Sequence, residues 1–118
     1  MTPVDAVGAF CLSLPGARLS VQWGGARVFK IGEKMFAMLA GMSRGAPEIW
    51  FKASDFSYIL MVEQPGIRPA PYLARAKWVA VALDALPQAD LEAYLAEAHR
   101  LVLAKLTRAQ RAEILGAG

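Results

Sequence analysis

Apolar positions change their period along this chain, and the changes mark out the elements. Val4, Val7, Phe10, Cys11 and Leu14 recur at helical spacing, which predicts a first helix with one apolar face. Thr2 can cap it, Pro3 suits the first helical position, and Asp5 favours the positive end of the helix dipole. Leu14-Pro15-Gly16 ends it. Short strand-like runs follow at 17–22, 26–31 and 34–40, separated by Trp23-Gly24-Gly25 and by Gly32-Glu33. Two residues beginning with glycine between two such runs predict a tight hairpin. By strict alternation Arg27, Phe29 and Ile31 share one face of the first arm, and Val28 and Lys30 the other. In the second arm Lys34, Phe36 and Met38 share a face, and Met35, Ala37 and Leu39 the opposite one. Both faces carry apolar residues, so full cover is expected on one side and partial exposure on the other.

Met42 to Pro47 reads as a loop, and Glu48 to Lys52 as a further strand. Ser54 is placed to cap a short helix over 55–63. The stretch from Gln64 to Ala76 holds three of the seven prolines and reads as an ordered loop or irregular crossing segment. Lys77 to Leu83 is the last predicted strand, with a turn at Asp84-Ala85. Leu91, Tyr94, Leu95, Ala98 and Val102 then mark a long amphipathic helix. Thr107 and Gln110 have capping-box spacing for a final short one. Terminal helices with sequential strands between them predict an α+β fold. Its two layers are an antiparallel sheet and helices packed on one of its faces.

Length and composition fit one domain over residues 1–118. Hydrophobic residues make up 56% and charged residues 19%, a profile of core formers rather than of disorder. The longest apolar runs, Met35–Ala40 and Trp78–Leu83, have six residues each. A membrane span needs about 20. The first ten residues lack the basic start of a secretory signal, and Cys11 is the single cysteine. The expectation is a cytoplasmic, monomeric protein without membrane attachment.

Charge shifts the picture toward anions. The net charge is +3, but between Arg18 and Lys77 nine basic residues face four acids. A basic middle segment of that kind can attract an anionic partner, although for so small a balance a solubilising surface is the commoner reading.

Three groups of residues now assemble in order. Leu14-Pro15-Gly16-Ala17 follows the first helix. Trp23-Gly24 precedes Val28-Phe29-Lys30-Ile31-Gly32 and Lys34-Met35-Phe36-Ala37. Pro65-Gly66-Ile67 and Pro69-Ala70-Pro71-Tyr72-Leu73 then precede Lys77-Trp78-Val79. In this order and spacing the chain resembles the MmcQ/YjbR family of small bacterial proteins over nearly its whole length. The resemblance implies a CyaY-like (frataxin-like) α+β fold and a double-wing DNA-binding role, with no enzymatic activity, cofactor or catalytic residue. Iron binding does not come with the fold. It would need an acidic first helix, and here that helix offers only Asp5.

The residues themselves argue against catalysis. His99 and Cys11 lie 88 positions apart without paired acids, so no metal site is expected. Cys11 reads as a small buried hydrophobe and His99 as a helix-flank or partly buried residue. The serines lack a partner base, and the glycines lack a phosphate-loop context. Glu48 and Glu63 read as ordinary surface acids. Trp78, Phe29, Phe36, Phe51 and Tyr94 are assigned to the core, leaving Trp23 and Tyr72 as the exposed aromatic pair.

The candidate binding set is therefore Lys30, Lys34 and Lys52 on the sheet, with Arg68, Tyr72, Arg75 and Lys77 from the proline-rich crossing, and Trp23 or Tyr72 for stacking. DNA is the leading partner on this reading. A small anionic ligand comes second, held by the same cations beside an aromatic. A protein partner on an exposed apolar edge around Met35–Met42 comes third, and an enzyme last.

Overall fold

The computed structural model describes residues 3–22, 24–43 and 46–115. The first helix, α1, covers Pro3–Ser13. The strands β1 (Ala17–Gln22), β2 (Ala26–Ile31), β3 (Lys34–Ser43) and β4 (Ala46–Lys52) follow. Next come α2 (Asp55–Met61), β5 (Ile67–Pro69), a 3₁₀ turn at Ala74–Ala76, β6 (Trp78–Ala82), α3 (Gln88–Leu103) and α4 (Arg108–Ile114). The strands form one antiparallel sheet in the order β1-β2-β3-β4-β6-β5. This is the α+β fold that the periodicity predicts. The capping residues act as their spacing suggests. Ser54 accepts from the Ser57 amide, and Thr107 and Gln110 close a reciprocal capping box. The N-terminal cap proposed at Thr2 lies outside the described residues.

The main core fills the space between the sheet and the helices. Phe29, Ile31, Ile49, Phe51, Val79 and Val81 from β2, β4 and β6 meet Val7 and Cys11 of α1 and Leu91, Leu95 and Val102 of α3. Phe51 stacks on Tyr94 at 6.2 Å between centroids. His99 is buried here as well. Its Nε2 donates to the Pro15 carbonyl at 2.7 Å, and Phe36 meets its ring edge-on at 5.3 Å. One imidazole thus ties α3 to the end of α1. Such a bond removes the cost of burying a polar ring.

Strict alternation fails at one place in the hairpin. Phe29 pairs with Ala37, but Lys30 pairs with Met35, so β3 carries an extra residue opposite the Phe29–Lys30 step. The extra residue is Phe36, and a bulge of this kind lets neighbouring residues point to the same face. Phe36 and Ala37 therefore both enter the main core. Met35, expected beside Ala37, instead packs on the opposite face of the sheet. The loop expected at Met42–Pro47 is also shorter, since β3 and β4 remain paired through Ser43 and Ala46.

The proline-rich crossing is not merely a loop. Ile67–Pro69 pairs with β6 as an edge strand, which proline tolerates because the ladder needs no donor on its outer side. The segment then folds back over the uncovered sheet face. There Ala70 joins Trp78 and Ala80 in a second, smaller core flanked by Met35, Trp50 and Leu73. Trp78 thus belongs to a core, though not the main one.

Gly16 turns the chain between α1 and β1 at φ 71°. A Cβ there would lie 2.1 Å from Ile114 Cγ2. Left-handed backbone costs about 1–2 kcal/mol for a residue with a Cβ, and overpacking adds to it. Gly16→Ala is expected to lower stability by about 2 kcal/mol in a urea titration, with the displacement centred on α4.

Candidate functional site

The predicted cations separate into two groups in space. Arg68, on edge strand β5, is paired within the fold, although its side chain remains 46% exposed. Its Nε and Nη2 donate to Glu48 Oε2 and Oε1 at 3.1 and 2.9 Å. Trp50 Nε1 donates to the same carboxylate at 3.3 Å. Glu48 is 1% exposed, so the reading of it as a surface acid is overturned. Alternation does put Glu48, Trp50 and Lys52 on the uncovered face of β4. What buries Glu48 is the arrival of β5 and its arginine. The hydrogen bond to Glu48 holds the Arg68 guanidinium above its ordinary pKa, and the fork-to-fork geometry is the strong form of the pair.

The second group gathers at one end of the sheet. Lys34 opens β3 and Lys52 closes β4, and both line a cavity of about 230 Å³ with Lys105, which follows α3. Met35 and Trp78 form part of its apolar wall. Lys52 Nζ donates to the Ala76 carbonyl. Its pKa is lowered, first by burial and then by Lys105, with a smaller push from Lys77 and partial relief from Asp55. Like charges so placed repel at short range, and the negative end of the α3 dipole offsets part of that repulsion.

Lys77 stands at the margin of this group. Its ammonium sits 5.1 Å from the Tyr58 ring centroid, and its backbone adopts φ 63°. Arg75 is exposed on the 3₁₀ turn, and Lys30 is half-buried on the uncovered face of β2. Tyr72 is fully exposed, also at positive φ, 66°. Trp23 lies outside the described residues.

Sequence reasoning missed Lys105. It stands three positions past Val102, the last residue of the α3 apolar stripe, and only the packing of α3 on β3 and β4 brings it to Lys52. Of the interaction edge expected around Met35–Met42, the part up to Leu39 is enclosed by the sheet. β3 lies between β2 and β4, and Phe36 to Leu39 are buried.

The single cysteine and the single histidine are both held inside the fold. Burial pushes the Cys11 thiol up to about 12, far from a thiolate at neutral pH. His99 is committed to Pro15. Among the described residues no three His, Cys, Asp or Glu side chains gather as metal ligands. No helix there is long and apolar enough to cross a membrane.

The fold recurs in solved structures. A Deinococcus radiodurans protein, DR2400, described as having a DUF419 domain, superposes with a TM-score of 0.80 at 25% identity, over 96% of this chain and 90% of that one. A Pseudomonas syringae protein superposes with a TM-score of 0.70 at 16% identity, over 86% of this chain and 98% of that one. The latter likeness is one of fold alone. No curated protein matches the sequence. The YjbR family model matches residues 12–101, a span that runs from the end of α1 through most of α3 and takes in the whole sheet. The chain belongs to the YjbR family.

Proposed function

We propose that this protein binds an anion in the lysine cavity, and that its work is binding rather than catalysis. One observation carries the reading. Lys34, Lys52 and Lys105 come from separate elements and open on the same cavity of about 230 Å³. Unrelieved like charges destabilise a fold, whereas a phosphate or carboxylate among them would make several charge-assisted hydrogen bonds. The buried Cys11 and the engaged His99 favour binding over chemistry.

The sign of the Lys52 shift bears on stability. Its pKa is lower in the folded protein, so the charged side chain costs stability at neutral pH. That cost fades as pH rises through the folded pKa toward the unfolded value. Anion affinity runs the other way and falls as Lys52 loses its proton.

Isothermal titration with inorganic pyrophosphate at low salt tests the proposal. Lys52→Met is expected to weaken binding tenfold or more, the effect of one charge-assisted hydrogen bond, while the melting temperature holds or rises. Lys34→Glu with Lys52→Glu should remove binding altogether. Absence of binding by the unmodified protein to pyrophosphate, phosphate and citrate alike would overturn it.

A second reading, DNA, draws on Lys30, Arg75 and Lys77, which add cations beyond the cavity. In this case a backbone phosphate occupies the lysine site and neighbouring phosphates meet the outlying cations. Anisotropy of a labelled random duplex would then show a salt slope of several phosphates, reduced by Lys30→Glu. A duplex that fails to bind at low salt, with pyrophosphate still binding, leaves the small anion.

A further inference from the structure

We infer that the ligand of the lysine cavity is an amphipathic anion, a carboxylate or phosphate on a flat apolar body. This rests on the anion-binding reading above and extends it to a neighbouring space. A second cavity of about 340 Å³ opens beside it on the uncovered sheet face, between β3, β4 and the proline-rich crossing. Met35 lines both cavities, so the two are neighbours that share one flexible side chain. Methionine adapts readily to a bound shape.

The chemistry of the two spaces is complementary. The first is lined by three lysines. The second is walled by Met38, Trp50, Pro71, Tyr72 and Leu73 as well as Met35. The Trp50 indole N–H is already taken by Glu48 at 3.3 Å. That leaves the Tyr72 hydroxyl as the side-chain group there still able to take a hydrogen bond. Such a wall cannot read the polar edges of a nucleobase, which need several donors and acceptors. It suits an aromatic or fused-ring hydrocarbon, and its volume falls in the lower part of the range for small-molecule sites.

Trp50 is a fixed floor, because its ring is tethered to a carboxylate that Arg68 grips with two bonds. Tyr72 is an open flap. The residue is fully exposed, and a backbone at φ 66° holds it there. The turn that sets this conformation is pinned by Leu73 N–H to Ala70 O at 3.1 Å and by Trp78 N–H to Leu73 O at 3.2 Å. An aromatic ring kept in water at positive φ, at the mouth of an apolar cavity, gains cover only when something flat lies beneath it.

Titrating 1-naphthyl phosphate, 1-naphthol and inorganic phosphate separately, followed by calorimetry and by quenching of tryptophan emission, tests the inference. Naphthyl phosphate is expected to bind at least tenfold tighter than inorganic phosphate, and naphthol weaker than either. The advantage of naphthyl phosphate over inorganic phosphate should collapse toward unity in Leu73→Trp, which fills the cavity. It should shrink several-fold in Tyr72→Gly, which removes the flap and relieves the positive φ, so that folding is not at risk. Equal binding of naphthyl phosphate and inorganic phosphate would overturn this inference and leave the anion site standing. Failure of both phosphates to bind would remove both readings. Naphthyl phosphate binding that survives Lys34→Glu with Lys52→Glu would also overturn it, since the charge would then play no part.

Discussion

Arg68→Ala is expected to cost about 3 kcal/mol of folding stability, measured by urea titration. Removing one partner of a buried ion pair typically costs about 3–5 kcal/mol. The low end applies here because the arginine side chain is 46% exposed, so water can enter when it is gone. The cost is not the value of the contact. It is the penalty of leaving Glu48, which is 1% exposed, as an uncompensated charge. Glu48→Gln added to Arg68→Ala is therefore expected to recover at least half of the loss, because the amide is neutral and its oxygen still accepts from Trp50. A cycle in which the double variant is less stable than Arg68→Ala alone would mean that Glu48 is solvated and the pair is incidental.

Phe51→Ala is the second large effect, expected at about 4 kcal/mol, with Phe51→Leu nearer 1 kcal/mol. Phe51 is fully buried near the end of β4 and stacks on Tyr94 of α3. The cavity left by alanine would sit at the sheet–helix seam. The consequence for binding is specific. α3 carries Lys105 to the anion cavity, and β4 carries Lys52, so loosening that seam separates two of the three ammonium groups. Pyrophosphate affinity should fall in Phe51→Ala although no ligand contact has been altered, and should be largely kept in Phe51→Leu.

The sequence made most of the elements legible because their signals are local. The Gly32-Glu33 turn, the Thr107 capping box and the helical stripe from Leu91 to Val102 each state their structure within a few residues. What stayed hidden was set by contacts between distant parts. β5 has three residues and one of them is Pro69, so no strand pattern could announce it. Without β5 there is no partner for Glu48, and an acid in an alternating strand reads as solvated. For the same reason the pairing of Arg68 with Glu48 is invisible in the sequence, where the arginine reads only as a binding cation. The bulge at Phe36 left no mark in composition, since Met35 to Leu39 are all apolar and either register would bury a hydrophobic set. Lys34 and Lys52 were identified as sheet cations, but their convergence with Lys105 depends on where α3 docks. Helix periodicity does not contain that information.

The two borders of the sheet are unequal, and this limits how the molecule can associate. At one border β5 is short and carries a proline, which cannot donate to a further strand. At the other, β1 has six residues, no proline, and Leu19 and Val21 exposed on one face. Strand addition is open at one border only. Two copies meeting there by a two-fold axis would use up each other's free border and stop. Propagation into a filament needs a second receptive border, which β5 denies.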